Sequence, residues 1–554
     1  MSQPIVRPSV AFGLVLTIVG GLAAQQHDHP PGQPTTEAAA TPLYNNLGTL
    51  HKDITTGSEV TQQYFDQGLR LIYAFNHDEA IKSFREGLRN DSTCAMCYWG
   101  VAYALGPNIN LPMDTSKVAP AWDAMHHAVR YSVNVTPKER AFIDALAQRY
   151  SGDPTASRAA LDSAWAGAIG QVSRLYPDDD DAATLYAEAL MDLRPWNYWS
   201  NGGRAKAPST REQLRVLERV VQRNPDHPGA CHYYIHAIEA SNDADKALPC
   251  ASRLGSLMPG AGHLVHMPSH IYIKLGQWDL AVEHNAHAVK ADEQYISERH
   301  PTGVYPMGYY PHNFHVMWYA LQMLGRSEAA LAAARNIVEK VPADIMRQVP
   351  PLEGYAPTFL YTLVRFSRWD EILKQPAPPS DLRYATAAWH YARGLAYAAQ
   401  AKPDSAAVER DSLVVITLAL PADKIVQQNS AKAVLQVAIR HLAGEMAARA
   451  GKTNLALQQL GKAVSLEDEL TYDEPPAWYM PMRQRLGAVL LAAGRARQAE
   501  KVFRADLVRR PENGWSLHGL EQSLQAQNRA AEAAQVGQRF EKAWKTADVK
   551  LAER

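Results

Sequence analysis

The sequence predicts an all-α chain folded as an α-solenoid of stacked helix hairpins. Three observations predict it. Glycine and alanine alternate with large apolar residues at helix-hairpin intervals in several stretches of the chain. Alternating β-branched runs bounded by turn residues are nearly absent, which removes the signal for sheets. The 554 residues exceed what one compact core supports, so an extended array or several domains is required.

The first hairpin is written in YFDQGLRLIYAFNHDEAIKSFREGL, residues 64–88. Gly68, Ala80 and Gly87 let two helices approach, and Leu71 and Phe84 fill the space between them. The spacing returns at Gly276, Ala281 and Ala288, then at Gly325 and Ala330. It returns again at Gly451, Ala456 and Ala463, and at Gly487, Gly494, Ala499 and Phe503. Less regular helix pairs occupy residues 136–191 and 357–400. This repeating hairpin resembles the tetratricopeptide repeat, whose unit is about 34 residues. The resemblance covers nearly all of the chain after about residue 60 and implies roughly a dozen hairpins, with a concave face that binds a protein or peptide ligand.

Three segments interrupt the array. Residues 193–210 combine aromatic side chains with Gly and Pro, predicting an ordered loop. Residues 300–313 form a tyrosine-rich connection, and the Pro-rich residues 374–381 separate an N-terminal solenoid over 46–373 from a C-terminal one over 382–554. Trp196, Tyr198 and Trp199 resemble a WxYW element that recurs in exported bacterial proteins of this repeat type. With Tyr305, Tyr309 and Tyr310 these aromatics either roof the groove or pack as ordinary loop residues, and Trp478, Tyr479 and Arg483 pose the same choice at its far end.

Residues 1–24 have the anatomy of a signal peptide, with Arg7 ahead of an apolar run and Ala23 and Ala24 behind it. Residues 25–45 follow as a disordered leader rich in Pro, Thr and Ala. The mature protein is therefore expected to be exported, periplasmic or extracellular, with no membrane span after cleavage. A formal net charge of -1 leaves no basic footprint for nucleic acid. Cys94 and Cys97 form a CxxC followed by Tyr98, which lacks the c-type haem attachment signature and leaves a disulfide or buried thiols, with redox catalysis as the alternative. Cys231 and Cys250 sit on the two helices of one hairpin, where either a disulfide clamp or packed thiols would fit.

Histidine carries the functional signal. Residues 227–315 hold eleven of the chain's 20 histidines. In the repeat family, positions two, five, nine and twelve of the first helix face the groove. Spacings of three and four residues independently place side chains on one helix face. Counting from Pro259, and again from Gly276 and Ala281, puts His263, His266 and His270 at positions two, five and nine. Pro225 and Ala247 put His232 at five, His236 at nine and Glu239 at twelve. Gly325 and Ala330 put His312 at two and His315 at five, and Pro177 puts Glu188 at nine one unit earlier. His284 and His287 fall on a second helix and read as structural, whereas His227 reads as an exposed or capping residue.

Imidazole is the commonest side-chain metal ligand, and two histidines four apart on a helix can share one ion. A nitrogen-rich set disfavours calcium and magnesium and leaves transition metals, zinc or copper foremost. Seven histidines exceed one tetrahedral site, so two ions bind or some imidazoles serve as outer partners. The alternative is a groove in which His and Tyr hydrogen-bond and stack on a peptide. HYYIH lacks the glutamate of the HExxH signature, so Glu239 and Glu188 are the candidate general bases of a metal-dependent hydrolytic or redox enzyme. No nucleophile elbow or phosphate-cradling loop occurs. The expectation is an exported binding or scaffold protein whose groove takes a transition metal, a peptide-like partner, or both, with a metal-dependent enzyme as the second class.

Overall fold

A computed structural model describes residues 41–153 and 155–551. The predicted signal peptide and the leader up to residue 40 lie outside them. Residues 41–45 are docked on the first hairpin: the Thr41 carbonyl accepts from Tyr64 Oη at 2.7 Å, and Tyr44 Oη donates to Glu79 at 2.6 Å. The described chain is all-α, built of successive helix pairs, with one two-residue strand pair at Ile425–Val426 and Asn429–Ser430. No helix among the described residues is long and apolar enough to cross a membrane. The chain divides into two compact units. One runs up to Ser200 and takes in Arg204–Ala237, and the other comprises Asn201–Gly203 and everything from Ile238. The Pro-rich residues 374–381 lie inside the second unit.

In the first unit, the helices Glu59–Tyr73, His77–Asn90 and Ala95–Leu105 pack in succession. The buried Phe84 ring stands between Gly68 and Gly100, and a Cβ at either glycine would collide with it. The missing side chains are what let three helices share one aromatic knob. In the second unit Phe503 stands in the same way between Gly487 and Gly519. The turn glycines Gly276, Gly325, Gly451 and Gly494 have φ of 73°, 68°, 71° and 71°, left-handed values that end one helix and aim the chain into the next.

Residues 300–313 are more ordered than a connection. Tyr305–Tyr309 is one π-helical turn that runs directly into the helix Tyr310–Met323. Pro306 sits in the first turn, where its missing N–H has no intrahelical partner to lose, and Pro311 lies at the junction where the π-helical turn passes into the α-helix. Tyr305 Oη donates to Asp292 at 2.8 Å and Asn313 Nδ2 to the same carboxyl at 2.7 Å. The aromatics of 193–210 are packed: Tyr198 is buried, and Trp199 Nε1 donates to the Ala237 carbonyl at 2.8 Å. Trp478 and Tyr479 belong to the core, with Tyr479 stacked on Tyr361 at 4.2 Å, and Arg483 pairs with Asp468.

Cys94 and Cys97 are joined by a disulfide, and no described cysteine is free; Cys231 and Cys250 are each disulfide-bonded. His227 is buried and caps its helix by accepting from the Ala230 N–H at 3.1 Å.

The first unit contains a buried acid with several partners. Asp181 lies 3.1 Å from Lys52 Nζ, 2.6 Å from Tyr73 Oη and 3.3 Å from His227 Nε2. Burial alone would raise its carboxyl, but the Lys52 ammonium and the bonds from His227 and Tyr73 hold it well below the ordinary value. A depressed acid stabilises the fold above its unfolded pKa of about 3.9 and loses that contribution as pH falls below it. Asp181→Asn is expected to cost about 3 kcal/mol at pH 7 and to flatten the acid limb of stability. Urea unfolding at pH 7 and pH 3.5 measures both; an equal acid loss in variant and parent would contradict this role.

Candidate metal centre

Within the second unit, four helices and two connecting segments bring their polar side chains to a single buried point. The histidine run is split into the helices Gly262–His266 and Pro268–Lys274, because Pro268 has no N–H to continue the ladder. Met267 keeps right-handed helical angles between them, at φ -50° and ψ -37°, so His263, His266 and His270 retain one face. The partner helix Trp278–Arg299 contributes Asn285, and Tyr310–Met323 contributes His312. Glu239 and Glu474 complete the set, the latter from the segment ahead of the helix Met482–Ala492.

The hydrogen bonds determine which ring nitrogens carry protons. Asn285 Nδ2 donates to the Ala281 carbonyl at 2.7 Å, which turns Oδ1 toward His266 Nδ1 at 2.6 Å. His266 therefore has its hydrogen on Nδ1 and a lone pair on Nε2. His270 Nδ1 lies 2.5 Å from Glu239 Oε2 and 2.7 Å from Glu474 Oε2. Carboxylates accept, so this nitrogen also carries a hydrogen, and Tyr472 Oη donates to the other Glu474 oxygen at 2.7 Å. The two Nε2 atoms are left facing each other at 2.6 Å. Two imidazole lone pairs do not rest at that distance unless a cation lies between them.

With a proton in that place, His270 is the imidazolium. Burial pushes its pKa down, but Glu474 and Glu239 outweigh burial and raise it to about 10. Glu474 is itself pushed up, by burial first and then by Glu239. With a metal in that place, both imidazoles are neutral and their Nδ1–H groups stay on the same acceptors, the arrangement by which metal-bound histidines are oriented. His312 supplies a third nitrogen, since ligand atoms of His266, His270 and His312 all lie within 4.8 Å of one another. Two nitrogens on a tetrahedral zinc are about 3.3 Å apart, so metal entry would part the rings by about 0.7 Å.

The remaining predicted residues are distributed as follows. His263 is buried beside the cluster, with its ring 5.9 Å from that of His266 and 4.8 Å from that of Tyr309. His315 shares the helix of His312 but stacks on Trp318 at 5.1 Å and meets Tyr355 edge-on. Its Nδ1 is 3.1 Å from Gln427 Nε2, and burial lowers its pKa to about 3. In the first unit, His232 and His236 are one turn apart with ring centroids at 4.9 Å. His232 Nδ1 donates to the Tyr73 carbonyl at 2.6 Å, leaving its Nε2 with the lone pair, and His236 is flanked by Phe75 and Trp196. Glu188, also in the first unit, accepts from Tyr103 Oη at 2.9 Å and shares a hydrogen bond with the Asp192 carboxyl. Burial raises both carboxyls, and Arg149 donates to Asp192 at 2.5 Å.

Sequence reasoning missed Glu474 and Asn285. Asn285 sits next to His284 on the second helix, and no register rule for the concave face reaches it. Glu474 lies between repeats in YDEPPAW, where no hairpin register applies and only the acidic pair Asp473 and Glu474 marks the place.

Comparison with known proteins leaves the chain outside any matched family. No family model matches it, and neither does any curated protein. Among solved structures, the human IFIT1 dimer with m7Gppp-AAAA aligns at 12% identity over 88% of this chain and 91% of that one, with a TM-score of 0.35. Yeast Tom70 aligns at 10% identity over 88% of this chain and 91% of its own, with a TM-score of 0.29. The APC/C hetero-tetramer Cut9-Hcn1 aligns at 10% identity over 87% and 76%, with a TM-score of 0.32. Overlays this loose say nothing about the ligand, so the function is argued from the site alone.

Proposed function

We propose that the protein binds a divalent transition metal, zinc or copper, through His266, His270 and His312. Asn285, Glu239 and Glu474 act as the outer partners that hold the first two rings. The observation that carries this reading is the pair of Nε2 atoms at 2.6 Å with both Nδ1 atoms already committed to acceptors. Three imidazoles without a thiolate suit zinc and copper. They also leave a coordination position open, as catalytic zinc sites do.

That open position is what supports the enzyme as a second reading. There Glu239 would act first on His270, to which it is bonded, and would not be a free base. A peptide-like partner, expected from the repeat resemblance, belongs to the same proposal as the occupant of the groove. Export is supported by the oxidised state of the cysteines, since disulfides persist in oxidising compartments.

The test is metal quantification on full-length protein purified without a histidine tag, followed by titration with zinc and with copper. About one equivalent, or two if His232 and His236 take a second ion, is the expected result. Less than about one-tenth equivalent with no uptake of either added metal would refute the reading.

A further inference from the structure

The second unit holds a separate cavity of about 340 Å³ among the helices Thr358–Arg365, Arg383–Ala399, Ala431–Arg449, Met482–Ala492 and Gly514–Gln525. Its walls mix apolar side chains, Leu395, Leu491, Phe503 and Trp515 among them, with a few polar groups. That volume and lining suit a small organic molecule.

Arg365 in this wall is 5% exposed. Its guanidinium lies 3.8 Å over the Trp515 ring, and Nη2 donates to Gln484 Oε1 at 2.8 Å. Nε has no acceptor, and among the described residues no carboxylate pairs with this guanidinium. Gln484 is neutral and spends its own amide on Asp506 and Asn513. Burial pulls the Arg365 pKa down to about 9, still above neutral pH, so the cation persists.

The other charged side chains of the wall are Arg485, Glu445 and Arg449, with the imidazoles of His441 and His518 beside them. Arg485 is neutralised by Glu445 at 2.7 and 2.9 Å. His441 Nδ1 is 2.7 Å from Tyr391 Oη, and burial lowers its pKa. Arg449 is exposed. A buried charge without a partner is costly, and proteins seldom keep one that nothing neutralises.

We propose that this cavity is a binding site for a small organic monocarboxylate, held by its carboxylate on Arg365 with its apolar body against Trp515, Phe503 and Leu491. The planar guanidinium fork matches a carboxylate, and its stacking on Trp515 keeps the fork oriented. Arg365 is the buried cation of the wall that no carboxylate neutralises, which matches one negative charge; the second charge of a phosphate dianion would be left to the solvent-exposed Arg449. The metal centre takes no part in this site.

The test is calorimetric titration of the full-length protein at pH 7 with hexanoate and 3-phenylpropionate, using 3-phenylpropanamide and inorganic phosphate as comparators. One carboxylate at least should bind saturably at one equivalent, with a Kd of about 1 mM or tighter. The amide and phosphate should bind at least about 10-fold more weakly, and Arg365→Met should weaken the carboxylate by a similar factor. Failure of both carboxylates to bind, equal binding of acid and amide, stronger binding of phosphate, or unchanged affinity in Arg365→Met would each overturn the site. The acid-against-amide comparison uses the unmodified protein, so it decides the matter even if the variant fails to fold.

Discussion

Alanine at His266 is expected to lower the zinc affinity of the tag-free protein by roughly 10²- to 10³-fold. The magnitude follows from the apparent binding energy of about 10–16 kcal/mol for a structural zinc site, shared over its ligands at about 3–4 kcal/mol each. His266 is the most informative position because both of its nitrogens are committed: Nδ1 to Asn285, and Nε2 to the point it shares with His270. Removing the ring leaves His270 facing an empty position, while Glu239 and Glu474 still hold its other nitrogen. Asn285→Leu, which touches no ligand atom, is expected to cost about 10- to 100-fold by freeing the ring to turn. His315→Ala is the control, since its ring is occupied by Trp318 and Tyr355, and the affinity should stay within about 2-fold. Competition against a chromogenic chelator reads all three, with circular dichroism to confirm that each variant is folded. Equal affinities in His266→Ala and the parent would remove His266 from the site.

Phe84→Ala is expected to destabilise the first unit by about 3–5 kcal/mol, the range for emptying a buried aromatic position. The cost should be high in that range because the ring sits between two glycines. Neither Gly68 nor Gly100 has a side chain that can swing into the space, so the cavity cannot collapse without moving helices. Phe84→Met should recover part of the loss, since a flexible thioether fills irregular gaps. Hydrogen exchange resolved by segment is the suitable measurement, because two compact units need not unfold in one step. Lost protection concentrated in His77–Asn90 and the two helices packed on it is the expected pattern. A loss below about 1 kcal/mol, or one spread evenly over the chain, would mean that the Gly–Phe–Gly contact is not the organising feature of that unit.

How far the fold was readable depended on the range of the interactions involved. The hairpin markers are local: Gly68, Ala80 and Phe84 act within one hairpin, and Gly276, Gly325, Gly451 and Gly494 meet a backbone requirement of their own turns. A turn residue need not be glycine, however. In the first hairpin Phe75 occupies the positive-φ position, at 55°, where composition alone showed no turn. From the sequence alone, residues 300–313 are a tyrosine-rich connection. Pro306 and Pro311 instead fall at the starts of two contiguous helical segments, and Tyr305 and Tyr310 bond Asp292 and Glu293.

The candidate site divides in the same way. Three- and four-residue spacings and a repeat register suffice to put His263, His266 and His270 on one face, because a helix sets side-chain direction from sequence offset alone. The sequence alone also determined the all-α class and the histidine-rich stretch as the place to look. Tertiary structure decided which histidines meet: His312 joins His266 and His270, while His315, three residues further along the same helix, packs against aromatics. It also decided their chemistry, since tautomer and charge depend on Asn285, Glu239 and Glu474, which reach His266 and His270 from other elements. Helical periodicity is a property of neighbouring residues and is written in their order. The protonation of a buried ring is a property of whatever the fold places against it.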